Sequence, residues 1–126
     1  MNVPESLRYS EDHEWLRTEG GEAVVGITAY AADELGDVVF VELPDVGRHL
    51  AANETFGVIE SVKTASDLHV PAAGEVVAVN EDLADAPELV NSEPYDGGWM
   101  IRLKLDDAAA SEGLLDAEAY RATIGD

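Results

Sequence analysis

A mainly β fold, a small sandwich or flattened barrel with short helices at its edges, is predicted for this chain by three observations. Short runs rich in β-branched and aromatic residues are separated by glycine and proline from near the start of the chain onward. Trp99, Ile101, Leu103 and Leu105 alternate with Met100, Arg102 and Lys104, the period of a strand with one buried face. Gly36-Asp37-Val38-Val39-Phe40-Val41-Glu42 is echoed 38 positions on by Gly74-Glu75-Val76-Val77-Ala78-Val79-Asn80. The echo suggests two halves related by approximate two-fold symmetry. The alternative is chance, because β-strands draw on few residue types.

The elements follow in order. Leu7 to Ser10 and Glu14 to Thr18 read as strands, and Glu19-Gly20-Gly21 is a hairpin signal leading into Glu22 to Ile27. Thr28 is a fitting N-cap for a short helix through Leu35, closed by Gly36, where a left-handed residue is wanted. Asp37 to Glu42 resumes as a strand that Pro44 stops. Phe56 to Val62 and Asp67 to Val70 form the arms of a hairpin. Ala86 to Asn91 suggests one helical turn with proline near its start and asparagine at its end, and Pro94-Tyr95-Asp96-Gly97-Gly98 is a turn before the Trp99 strand. Asp116 to Ile124, with an acidic N-cap and Gly125 as a stop, predicts a C-terminal helix packing through Leu115, Ala119 and Ala122. No linker or low-complexity tract interrupts the chain, so residues 1–126 are expected to form a single domain.

Composition removes whole classes of chemistry. The absence of cysteine excludes disulfides, thiolate nucleophiles and cysteine-based metal or iron–sulfur sites. A formal charge of -20 would repel nucleic acid and anionic membrane surfaces, and neither is expected as a partner. With 46% hydrophobic residues in ordered patterns, the acidic excess reads as the surface of a folded domain rather than as disorder. The acids are spread along the chain, and their mutual repulsion weakens as salt screens it. A very salty, halophilic source cytoplasm is therefore predicted. The melting temperature should rise from dilute buffer to molar potassium chloride, and equal values would overturn this reading. No apolar run approaches the roughly 18 residues that span a bilayer, and Met1 to Glu5 shows no secretory or transit signal, so a cytoplasmic location is expected.

The usual constellations are weak. His13, His49 and His69 lack metal-site spacing and read as strand-end or surface residues, so no metal is expected. With 27 acids, some carboxylate pair will always look catalytic. Phosphate-binding glycine loops are absent, and Ser61 and Ser66 near His69 lack the elbow of a nucleophilic serine. What remains is Lys63, in Glu60-Ser61-Val62-Lys63-Thr64-Ala65-Ser66-Asp67. It is one of only two lysines, and Lys104 is accounted for by the outward face of its strand. A lysine in a tight turn between strands presents its amine on a four-carbon stem to a modifying enzyme. The bland alternative is a solvated turn residue.

The Lys63 segment, followed by Val70-Pro71-Ala72-Ala73-Gly74-Glu75-Val76-Val77, closely resembles the lipoylation hairpin of glycine cleavage system H proteins. His13-Glu14-Trp15, Gly26-Ile27-Thr28, Leu35 to Val41, Leu43-Pro44, Asn91, Pro94-Tyr95 and Gly98-Trp99-Met100 agree in order and spacing, so the resemblance covers residues 7 to 121. It implies a hybrid barrel-sandwich of two antiparallel sheets with peripheral helices. It also implies a carrier and co-substrate of glycine catabolism and one-carbon metabolism, not an enzyme. In such a carrier lipoate is amide-linked to Lys63 by a lipoyl- or octanoyl-transferring enzyme that reads a hairpin made here of Glu60, Ser61, Val62, Thr64 and Ser66. The arm would take the aminomethyl group from the pyridoxal-phosphate-dependent glycine decarboxylase to the tetrahydrofolate-dependent aminomethyltransferase, and dihydrolipoamide dehydrogenase would reoxidise it.

The loaded arm folds back into a cleft in this family. By matching position Glu14 and Asp67 would hold its amine, with Glu34 a third member. Relatives often carry other residues at the position of Glu34, including histidine, and Tyr30 likewise stands where histidine is frequent. Alternatives are a lipoyl-relay donor, an unmodified interaction scaffold, a lipoyl domain of a longer 2-oxoacid dehydrogenase chain and a biotinyl carrier. Biotin acceptors resemble one another in having methionine on both sides of the lysine; here Val62 and Thr64 flank it.

Overall fold

The computed structural model describes residues 2–125. Among the described residues nine strands are formed: β1 (Arg8–Tyr9), β2 (Glu14–Glu19), β3 (Glu22–Ile27), β4 (Val38–Glu42), β5 (His49–Leu50), β6 (Thr55–Ser61), β7 (Ala65–His69), β8 (Gly74–Val79) and β9 (Ile101–Leu105). Four short helices accompany them: α1 (Ala29–Leu35), α2 (Asp82–Asp85), α3 (Leu89–Ser92) and α4 (Ala117–Ile124), with a 3-10 turn at Ala110–Gly113. Six strands make one sheet in the order β1-β2-β3-β9-β8-β5, and β4-β6-β7 make the other, with every pairing antiparallel. This is the hybrid sandwich that the resemblance implied.

The echoing strands lie in different sheets and share an irregularity. In β4 the register against β6 slips between Val38 and Phe40; in β8 the register against β9 slips between Val76 and Ala78. The extra residues, Val39 and Val77, are echo equivalents. A β-bulge leaves one residue unpaired and bends its strand, so the two halves share a local distortion as well as a residue order. That favours related halves over chance.

The inner faces of both sheets meet in one core that includes Val41, Ile59 and Leu68 from the small sheet and Leu16, Val25, Val76 and Leu103 from the large one. A second cluster lies under α4, where Tyr120 stacks on Tyr9 at 4.6 Å and both join Val3, Leu7, Trp15, Val24 and Ala117. Helix α4 begins where expected, with the Asp116 carboxylate accepting from the Ala119 N–H, and ends at Gly125 in the left-handed region. Its predicted packing face is corrected. Ala119 and Ala122 are exposed, while Ala117 and Tyr120 are buried and Leu115 is half-buried. The large tyrosine ring has far more apolar area to bury than an alanine methyl, and it sets the helix's rotation.

Met100 is also corrected. It is fully buried, because the ladder begins at Ile101, while its backbone N–H donates to Val25 and its carbonyl accepts from Asn80. The alternation holds from Ile101 to Leu105, with Arg102 and Lys104 facing outward.

Candidate functional site

The arms of the central hairpin are β6 and β7, and Lys63 sits in the turn between them. Ser61 builds the turn. Its backbone N–H donates to the Thr64 carbonyl at 2.8 Å, and its hydroxyl accepts from the backbone N–H groups of Lys63 and Thr64, each at 3.2 Å. A serine hydroxyl that satisfies two consecutive amides lets a tight turn close without a glycine. Val62 N–H donates to the Asp37 carbonyl at 3.0 Å, tying the turn to the residue before β4. Glu60, Val62, Lys63, Thr64 and Ser66 are exposed, and Ser61 is partly buried.

The turn rests on a second clamp. Asn91, at the end of α3, donates through Nδ2 to the Gly36 carbonyl at 2.8 Å and accepts at Oδ1 from the Val38 N–H at 2.9 Å. Gly36 has a φ of 79° and a ψ of -157°, so it lies outside the left-handed helical region expected of it, in a conformation that is open to glycine. Its missing side chain also leaves room for Lys63: a Cβ there would lie 3.1 Å from Lys63 Cε. In the sequence Asn91 was visible as a residue at a helix end and as a position of the family resemblance, but not as a clamp. Its partners lie more than fifty residues away in sequence, and nothing local points to them.

Beside the hairpin is a cleft of about 290 Å³ whose lining includes His13, Glu14, Tyr30, Glu34, Ser66 and Asp67. The structure thus brings Glu14, Glu34, Ser66 and Asp67 together. Glu60, Ser61, Val62, Lys63 and Thr64 are not in the lining. Ser66 follows Lys63 by three residues, past the end of the turn and into β7. Glu34 and Asp67 are exposed at this cleft.

Glu14 differs from them. Only 3% of it is exposed. Its carboxylate accepts from the Ser10 hydroxyl at 2.7 Å and, at 3.5 Å, from the His69 backbone N–H. Burial disfavours the charged form and pushes the carboxyl up to about 7, against the opposing pull of the Ser10 hydrogen bond. Around neutrality it exchanges a proton with little bias. Folding then binds an extra proton between the ordinary carboxylate range and pH 7, so this residue makes stability fall as pH rises through that window. Glu14→Gln should remove the slope, gaining on the order of 3 kcal/mol over the native chain between about pH 5 and about pH 8. Urea denaturation at both pH values checks this, and parallel curves would refute it.

One wall of the cleft is α1, held by a chain of contacts from the far end of the molecule. His13 Nδ1 lies 2.9 Å from the Tyr120 hydroxyl, which lies 2.7 Å from Thr28 Oγ1, the N-cap of α1. Burial lowers the His13 pKa against the opposing pull of Asp12 and Glu34. His13 has a φ of 70°, so it occupies a turn position that few side chains adopt. His49 is exposed beside Asp106, and His69 is paired in β7. Among the described residues no group of three or more histidine, aspartate or glutamate side chains could hold a metal ion.

Known proteins resemble this chain in both sequence and fold. The family model described as Glycine cleavage H-protein matches residues 7–126. Curated glycine cleavage system H proteins from Bacillus cereus and Bacillus cytotoxicus are each 60% identical over 120 residues, which is 95% of this chain and 94% of theirs. The crystal structure of a glycine cleavage system H protein from Mycobacterium marinum superposes with a TM-score of 0.90 at 40% identity, covering 98% of this chain and 99% of that one. Matched along nearly its whole length in both sequence and fold, the chain belongs to the glycine cleavage H-protein family, and it is a lipoyl carrier of the glycine cleavage system rather than a catalyst.

Proposed function

We propose that Lys63 is the lipoyl attachment point. The observation that carries this is a rigid, twice-anchored turn that exposes Lys63 beside a cleft containing a buried acid. Lipoate, when bound, supplies a dithiol–disulfide pair able to take up a one-carbon unit and electrons. The residues present fit such a group. Lys63 offers the amine for the amide bond, and Glu60, Ser61, Val62, Thr64 and Ser66 offer the shape that an acylating enzyme reads.

Glu14 sits where water is largely excluded, so a hydrogen bond from an amine to its carboxylate there is stronger than one at the surface. Its proton exchange near neutrality lets it meet an amine of either charge state. Asp67 and Glu34, at the exposed part of the cleft, keep the approach negative and favour a cationic amine. The proposed course is from the pyridoxal-phosphate-dependent glycine decarboxylase to the tetrahydrofolate-dependent aminomethyltransferase, with reoxidation by dihydrolipoamide dehydrogenase, after acylation by a lipoyl- or octanoyl-transferring enzyme. Residues 1–126 act as one carrier domain in the cytoplasm, and the acid excess suits a saline one. No helix among the described residues is long and apolar enough to cross a membrane.

Intact mass measurement of protein from its native source, with the modified peptide sequenced, tests the assignment. A lipoyl increment on Lys63 is expected. A biotinyl increment, acylation of Lys104, or an unmodified chain in cells that hold the acylating enzyme would overturn it.

A further inference from the structure

An antiparallel sheet with one solvated face ordinarily turns polar side chains outward. The outer face of the β4-β6-β7 sheet breaks that rule. Val39 is 53% exposed and Phe40 48%, and Val62, in the turn just past β6, is 69% exposed. The bulge at Val39 accounts for the first pair, because two consecutive side chains face solvent between the buried Val38 and Val41. At the equivalent bulge in β8, Val77 and Ala78 are half-buried. The same distortion is thus partly covered by the chain itself in one half and open in the other.

Register places acids around this apolar strip. Phe40 lies opposite Glu60, Glu42 opposite Val58, and Val58 opposite Asp67. Partners across an antiparallel pair share a face. The strip also runs up to the modification turn, since Val62 adjoins Lys63 and is bonded to Asp37 just before β4.

We propose that this face is the docking surface for the enzyme that acylates Lys63, and that the enzyme meets it with an apolar contact ringed by lysine and arginine. The proposal rests on Lys63 being the acylated residue. Reach selects this occupant. An enzyme that forms a bond to the Lys63 amine must bring its active site to within a bond length of the lysine, and so must cover Val62 and its neighbours. Enzymes that act at the far end of a long arm need not. Charge selects its chemistry, for acids beside an apolar centre call for basic residues at the partner's rim, and the formal charge of -20 draws such a partner in. Phe40 is the natural anchor, since truncated aromatics account for much of the loss at interfaces.

The Val39→Ser/Phe40→Ser double variant tests this with a lipoate–protein ligase, lipoate and ATP, followed by intact mass against time. Both positions are exposed, so the melting temperature should be unchanged, while kcat/KM for acylation falls by about tenfold or more. Glu42→Lys should lower the rate too and flatten its dependence on salt. Variant protein fully acylated with excess ligase should support glycine cleavage at the native rate. Acylation of the double variant within about twofold of native would overturn the proposal. Normal acylation with impaired glycine cleavage would assign the face to another enzyme, and a self-association that the variant loses would assign it to a second copy of this chain; either overturns it as well. Failure of the native chain itself to be acylated at Lys63 would refute the attachment reading first, and the docking surface with it.

Discussion

Lys63→Arg should reduce glycine cleavage in a reconstituted system to background while leaving the melting temperature unchanged. Arginine keeps the charge and the aliphatic stem, and the residue is exposed, so folding has little reason to change. The guanidinium, protonated at all working pH values, cannot form the amide that lysine forms. No acyl increment should appear on the variant. Lys104→Arg is the matched control: it removes the other lysine, on the outward face of β9, and should be acylated and turned over as the native chain is. Retained turnover by Lys63→Arg would refute the attachment role.

Gly57→Ala should lower stability by on the order of 3 kcal/mol or more, a melting temperature drop of roughly 10 °C. A Cβ at this position would lie 2.1 Å from the Glu42 carbonyl oxygen. That atom is backbone and cannot rotate away. Relief requires β4 to be pulled off β6, where Glu42 pairs with Val58 and Phe40 with Glu60. The loss would fall on the strand that carries the Lys63 turn, so acylation should slow as stability is lost. Gly113→Ala is the control, because nothing lies within 4 Å of its added methyl. Thermal melts of the pair distinguish a steric effect from the general cost of replacing glycine.

How much was legible in the sequence depended on where the determining atoms lie. Helix α1 was readable to the residue because Thr28 and Gly36 cap it locally. The Lys63 hairpin was readable to within one or two residues at each end of its arms, since alternating apolar residues and a turn suffice to define one. Strand β5 was not, because two residues carry no pattern and only pairing with Gly74 and Glu75 makes them a strand. The extent of α4 could be read from its caps, but its buried face was set by Tyr9, a residue from the other end of the chain.

At the candidate site the same division holds. The family resemblance pointed to Glu14 and Asp67, with Glu34 a third member at a position where relatives often differ, and all three line the cleft. Glu14 alone is buried, and burial keeps its proton to near neutrality against the hydrogen bonds from Ser10 and from His69, more than fifty residues on, which favour the charged form. A bare sequence treats all three as surface acids. The Asn91 clamp was invisible for the same reason.

The position of β9 bears on the order in which the molecule is made. It is the last strand in sequence, yet it lies inside the large sheet, joining β3 on one side to β8 on the other. A chain leaving the ribosome N-terminus first holds β1-β2-β3 and β5-β8 as two unconnected fragments until residues 101–105 emerge. By then the three-stranded sheet that carries the Lys63 turn, whose strands span only residues 38–69, has all its strand partners available. The strand pairings around the turn proposed for acylation can thus form during synthesis, while the core beneath them is complete only when Leu103 of β9 arrives. The Tyr120 contact with the α1 cap, and with it the finished cleft wall, comes last.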